Sequence, residues 1–187
     1  LILVHNDFEI LGQLIRAIDD ERNDIYIHFD RKVAHCPDCR TLHAGLMVLT
    51  ERIDVRWGDV SVVRAEYALF DAAYRHGGYR YYHLLSGVDG KEFIGYYQGD
   101  ITTEINRKVR RWHLFPESFK KTGSMTAVGE QVLRAGFIRL QQMTGFHRNK
   151  TIDFRKGTQW VSLTADCIGY LLQYKDEAER IYSHTFC

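Results

Sequence analysis

Proline is nearly absent, two residues in 187, so the chain contains no Pro-rich linker of the kind that separates domains. Cysteine is scarce too. Cys36, Cys39, Cys167 and Cys187 are too few for a disulfide scaffold at this size and read as free thiols in a reducing compartment. An excess of either charge is lacking: 25 Lys and Arg face 24 Asp and Glu, a formal net charge of +1. The bulk composition therefore offers nothing to nucleic acid or to an anionic membrane, and any anion site must be local. No apolar run approaches the roughly 18 residues needed to span a bilayer, and no charged-then-apolar leader precedes Leu1, so no membrane association is visible. The first residues already read as a strand, without an initiator Met, and both ends are expected to be trimmed. Gly77-Gly78, Gly87 and Gly90 make neither a dinucleotide fingerprint nor a Walker A loop, which excludes those phosphate binders. Internal repeats and low-complexity stretches are absent as well.

What is present is 45% hydrophobic residues, enough over 187 positions for one sizeable α/β core and too little chain for two ordinary domains. Leu1–Val4 is a short apolar run ending in His5-Asn6-Asp7, the pattern of a buried parallel strand reaching a ligand-facing edge. Asp7 then suits a helix N-cap, and Phe8, Leu11, Leu14, Ile15 and Ile18 recur at helical spacing until Asp19-Asp20-Glu21-Arg22-Asn23 breaks it. Ile25–Phe29 predicts a second strand delivering Asp30-Arg31-Lys32. A third is expected at Ile53–Arg56, followed by Trp57-Gly58-Asp59, a helix over Ser61–Tyr74 closed by Gly77-Gly78, and a fourth strand over Tyr81–Leu85. Alternation of this kind predicts right-handed crossovers and a mostly parallel central sheet flanked by helices. The second half reads as less regular α+β: strands at Phe93–Tyr97, Lys108–Phe115 and Gln159–Leu163, helices at Glu130–Met143 and Ala165–Tyr174.

Ligands of parallel sheets bind beyond the strand carboxyl ends, where His5, Asp30, Trp57 and Asp89 are all expected to fall. Their convergence on one pocket is the main functional expectation. Asp30 suits hydrogen bonding to a ligand hydroxyl or base, or is a solvated turn carboxylate beside Arg31 and Lys32. The basic run Arg107, Lys108, Arg110 and Arg111, followed by Trp112, suits either an anion or a solvated strand edge. Cys36-Pro37-Asp38-Cys39, flanked by His35 and His43, opens a minor zinc or thiol-redox alternative.

Several segments in this order resemble the core-2/I-branching β-1,6-N-acetylglucosaminyltransferase family, which also includes peptide O-xylosyltransferases. They are Leu1-Ile2-Leu3-Val4-His5, Ile27-His28-Phe29-Asp30, Val55-Arg56-Trp57-Gly58 with Ser61-Val62-Val63-Arg64-Ala65, Leu84-Leu85-Ser86-Gly87-Val88-Asp89, and Gly157-Thr158-Gln159-Trp160. The resemblance covers nearly the whole chain. It implies a GT-A-like fold in one glycosyltransferase domain over 1–187, with 1–90 as nucleotide-binding half and 91–187 as acceptor-side half.

It further implies an inverting, metal-independent transfer of GlcNAc or xylose from a UDP-sugar to a hydroxyl of a glycan or other acceptor. UDP-sugar is then a substrate, and no cofactor is expected. By position, Leu3, Val4 and His5 would line the nucleotide pocket, and Asp30, Arg31 and Lys32 would contact the uridine. Trp57 would meet the donor and Arg107 the acceptor, with Asp89 and Trp160 also on the substrate side. No Asp-x-Asp pair is present to hold a divalent ion, so protein cations would have to balance the diphosphate. The family's segment after Ser-Gly-x-Asp runs on through Pro-Leu, whereas here Asp89-Gly90 leads into Lys91-Glu92-Phe93. Tyr182–Cys187 resembles the lead-in to the family's general-base Glu, which is expected beyond Cys187 together with the basic residues that grip the diphosphate. Such an enzyme would be cytoplasmic if bacterial and in the Golgi lumen if eukaryotic. A non-catalytic nucleotide- or glycan-binding domain is the alternative of a different class.

Overall fold

The computed structural model describes residues 1–56, 58–86, 125–152 and 159–184. The chain divides into two compact units that interleave in sequence. One comprises Leu1–Val55, Arg64–Tyr96 and Thr158–Lys175, and the other Arg56–Val63, Tyr97–Gly157 and Asp176–Cys187.

The first unit is built on a four-stranded parallel sheet. Its strands are β1 (Ile2–Val4), β2 (Asp24–Phe29), β3 (Gly45–Val48) and β5 (Leu85–Ser86), in spatial order β3-β2-β1-β5. Side chains alternate across it. Ile2, Val4, Ile25, Ile27 and Phe29 pack against Leu11 and Ile15 of α1 (Phe8–Ile18). Leu3 and Tyr26, on the opposite face, join Leu69, Phe70 and Ala73 of α2 (Ser61–His76). Five of the six residues of β2 are buried, as a central parallel strand covered on both faces requires. Each aliphatic side chain hidden in this way contributes about 1.5–3 kcal/mol, so both layers are held by apolar burial. The expected α/β architecture, a mostly parallel sheet flanked by helices, is what forms.

Three local expectations are corrected. Asp7 occupies the N-cap position of α1 in left-handed backbone (φ 55°), yet its carboxylate makes no capping bond. The third strand is Gly45–Val48, not Ile53–Arg56. Around Ile53 the backbone bonds elsewhere: its N–H donates to His28 Nε2 (3.0 Å), and its C=O accepts from the Arg31 N–H (3.0 Å). With these groups taken, no ladder runs through it. Gly45 stands opposite Asp24 in the β2–β3 register, and a Cβ there would meet Asp24 Oδ1, so a larger residue requires the exposed Asp24 side chain to turn aside. The strand expected over Tyr81–Leu85 is really two. β4 (Tyr81–His83) pairs antiparallel with β6 (Ser162–Thr164), Leu84 donates to the Val161 carbonyl, and Leu85 then enters the main sheet beside β1.

Helix ends follow the sequence more closely. Gly77 and Gly78 adopt φ of +77° and +81° and close α2, as left-handed residues past a helix end do. Thr164 Oγ1 accepts the Cys167 N–H (3.4 Å) and caps α4 (Ala165–Gln173). In the second unit α3 spans Met125–Met143, starting five residues before the expected Glu130, and α5 spans Lys175–Tyr182. Arg148 Nη1 donates to the Ser183 carbonyl at 2.8 Å, tying the loop after α3 to the end of α5. The strands expected at Phe93–Tyr97 and Lys108–Phe115 lie outside the described residues. Among the described residues, no helix is long and apolar enough to cross a membrane.

Candidate functional site

The carboxyl ends of β1 and β2 are joined by the Asp30 N–H, which donates to the Val4 carbonyl at 2.8 Å. Beyond this bond the two chains diverge, one into His5-Asn6-Asp7 and α1, the other into Asp30–Val33. A cleft of about 350 Å³ opens there, lined by His5, Asn6, Asp7, Phe8, Val33, Ala34 and His35. All seven belong to the first unit. The lining combines two imidazoles, an amide and a carboxylate with the partly exposed ring of Phe8, which meets Phe29 edge-on at 6.3 Å. Such an open surface offers hydrogen-bond donors and acceptors beside a flat apolar face.

Below the rim lies a polar turn. Asp30 is 3% exposed; its Oδ1 accepts the Lys32 N–H (2.8 Å), and its Oδ2 pairs with the Lys32 ammonium at 2.9 Å. The Val33 N–H closes the turn on the Asp30 carbonyl at 3.0 Å. Partial burial lowers the Lys32 pKa, but the carboxylates of Asp30 and Asp54 outweigh it and raise the net value. The same ammonium reaches the Val55 carbonyl. Arg52 supplies the second cation. Its Nη2 donates to the carbonyls of Asp30 (2.7 Å) and Arg31 (3.2 Å) and to that of Val33, and its Nε points to the Phe29 carbonyl at 3.4 Å. Below them, His28 is 1% exposed; burial lowers its pKa, more than the nearby Asp30 raises it. Because Nε2 accepts a hydrogen bond, the ring proton sits on Nδ1.

Of the residues singled out in sequence, His5 lines the cleft directly. Leu3 and Val4 do not: Leu3 packs toward α2 and Val4 toward α1, and only the Val4 carbonyl reaches the strand end. Asp30 is a turn carboxylate beside Lys32, as one alternative held, but buried and ion-paired where solvation was expected. Arg31 and Lys32 are exposed at the strand end, Arg31 Nε donating to the Arg52 carbonyl at 2.8 Å. Trp160 packs against the α2-side core and is not brought to the cleft. Trp57, Asp89 and Arg107 lie outside the described residues. Phe8 was readable only as part of an apolar helix face, and Val33 and Arg52 carried no signal, the latter because its partners are main-chain carbonyls.

Two other polar groupings stand apart. Cys36 is exposed and Cys39 half-buried, both free, and burial followed by the nearby Asp38 and Cys36 pushes the Cys39 thiol above its ordinary value. That favours the thiol over the thiolate that redox or metal chemistry uses. Among the described residues, no three His, Cys, Asp or Glu side chains converge as metal ligands would. On α2, the half-buried Glu66 accepts the Gln159 side-chain N–H at 2.8 Å, and burial raises its pKa to about 7.

No curated protein matches the chain. A family profile, described as Core-2/I-Branching enzyme, matches residues 1–187. With the parallel sheet and its strand-end cleft in place, that match over its whole length makes this chain a member of the Core-2/I-Branching enzyme family of glycosyltransferases.

Proposed function

We propose that the protein is an inverting, metal-independent glycosyltransferase of GT-A-like fold that moves GlcNAc or xylose from a UDP-sugar to an acceptor hydroxyl. The observation that carries this reading is the cleft at the joined carboxyl ends of β1 and β2, in a chain of a glycosyltransferase family. Ligands of parallel sheets bind at that edge. The cleft's imidazoles and amide suit the hydrogen-bonding edge of a uracil, and Phe8 suits its flat face. Absence of an Asp-x-Asp pair from the sequence supports charge balance by protein cations.

In the reaction, the acceptor oxygen forms a bond to the anomeric carbon as the bond from that carbon to the diphosphate oxygen breaks, and UDP leaves. The hydroxyl proton passes to a carboxylate base, worth roughly 10²–10⁴-fold when well placed.

A transfer assay with labelled UDP-GlcNAc and UDP-xylose on the full-length protein tests the proposal, run with and without a strong chelator. Transfer that survives chelation, with inverted anomeric configuration in the product, is expected. UDP binding without turnover on any hydroxyl acceptor would favour a non-catalytic binding domain instead.

A further inference from the structure

We infer that Arg52 is a positioning residue for the donor site, setting the shape of the cleft rim without touching the donor. The inference rests on the proposed donor site and assigns it a residue outside the cleft lining. β2 ends at Phe29, and beyond it the chain leaves the sheet for a turn in which the Asp30 carbonyl accepts the Val33 N–H. The half-buried Arg52 guanidinium serves the carbonyls of Phe29, Asp30, Arg31 and Val33 from one planar fork.

The clasp is reciprocal. The Arg31 Nε donates to the Arg52 carbonyl, and the Arg31 N–H donates to that of Ile53. Segment 29–33 is thereby fastened to segment 52–53 from both sides. Its last residue, Val33, is the first of the three that form one wall of the cleft, Val33-Ala34-His35. Asp30 and Lys32 hold the turn internally, through the Asp30 carboxylate and the Val33 N–H. That internal pairing does not hold the turn to its surroundings: the Asp30 N–H fastens its start to Val4 of β1, and Arg52 fastens the rest, through the Arg31 and Val33 carbonyls, to segment 52–53.

The chemistry requires arginine. A guanidinium presents five N–H donors in a fixed plane, whereas an ammonium is a point charge on a flexible stem. Lysine at this position keeps the charge and loses the fork. Such a variant should fold and hold the wall loosely, so the deficit should fall on donor affinity.

The test is Arg52→Lys in the full-length protein, read by donor KM, acceptor KM and kcat, by calorimetric UDP affinity, and by amide hydrogen exchange over residues 30–35. Expected are an about tenfold rise in donor KM and in the UDP Kd, unchanged kcat and acceptor KM, and faster exchange in that segment. Arg52→Gln, which retains a planar amide donor, carries the same expectation if the lysine variant does not fold. A lower kcat with unchanged donor KM and UDP affinity would overturn the inference, because loss of folded protein alone has that signature. Wild-type protein that binds no UDP would overturn the donor-site reading as well, and that result appears before any variant is made.

Discussion

His28 Nε2 accepts the N–H of Ile53 at 3.0 Å, so a buried imidazole on β2 holds the segment that carries Arg52. The neutral ring is required, since protonation would remove the acceptor. His28→Leu keeps the apolar volume and strands the Ile53 N–H, which should cost about 1–3 kcal/mol in urea unfolding. Retained stability would mean that the bond contributes nothing.

The same burial makes a pH prediction. The His28 pKa is lowered below its usual 6.5 in the folded protein. Below 6.5 the unfolded chain takes up a proton that the folded one resists, so this contribution to stability is complete above 6.5 and is lost as pH falls toward the folded value. His28→Gln, an acceptor that does not titrate in this range, should reduce the loss of stability between about pH 6.5 and pH 5. Parallel pH profiles for the two proteins would contradict it.

Asp30 combines two tasks that substitutions separate. Asn retains an oxygen for the Lys32 N–H and loses the charge opposite the Lys32 ammonium, whereas Ala loses both. UDP affinity measured by calorimetry should therefore fall in the order wild type, Asp30→Asn, Asp30→Ala. Equal affinities for all three would show that the turn does not shape the site.

What could be read in the sequence follows from where the physical signal resides. The two long helices of the first unit carry apolar residues at helical spacing, and β2 carries a nearly continuous apolar run, so these elements were plain. β3 was missed because it is an edge strand with one half-buried side chain among four residues, leaving little pattern in Gly45-Leu46-Met47-Val48. Ile53–Arg56 looked more strand-like, yet its backbone is met by the side chains of His28, Lys32 and Ser61 and by isolated main-chain N–H groups, not by a strand ladder. His5 was legible as the residue just past a strand. Phe8 was assigned to the core by its helical spacing, although it is 36% exposed and lines the cleft. Arg52 was invisible because a carbonyl has no residue identity to form a motif with.

Glu66 should make the protein less stable as pH rises from 4.5 toward neutral. Its pKa is raised from 4.5 to about 7 by burial, only partly countered by the Gln159 bond, so the folded state holds a proton that the unfolded state releases. Stability then declines between 4.5 and about 7 and levels off above. Glu66→Gln removes this decline and should raise stability at pH 8 by at most about 3 kcal/mol. A variant no more stable than wild type at pH 8 would place Glu66 in water.

His35 and His43 flank the same cysteine pair in sequence but differ in place. His35 lines the cleft, whereas the His43 N–H donates to Asp19 Oδ1 at 2.9 Å, where β3 begins to form. If the cleft holds the donor's uridine, His35→Ala should weaken UDP binding by about 1 kcal/mol, the size of one ordinary hydrogen bond, and His43→Ala should leave it unchanged. The contrast separates two accounts of this segment. A zinc or thiol site centred on Cys36 and Cys39 would depend on both histidines and be indifferent to UDP. Equal loss of UDP affinity in the two variants would detach binding from the cleft. A selective loss with His35→Ala, by contrast, ties the wall that follows Arg52's clasp to the nucleotide.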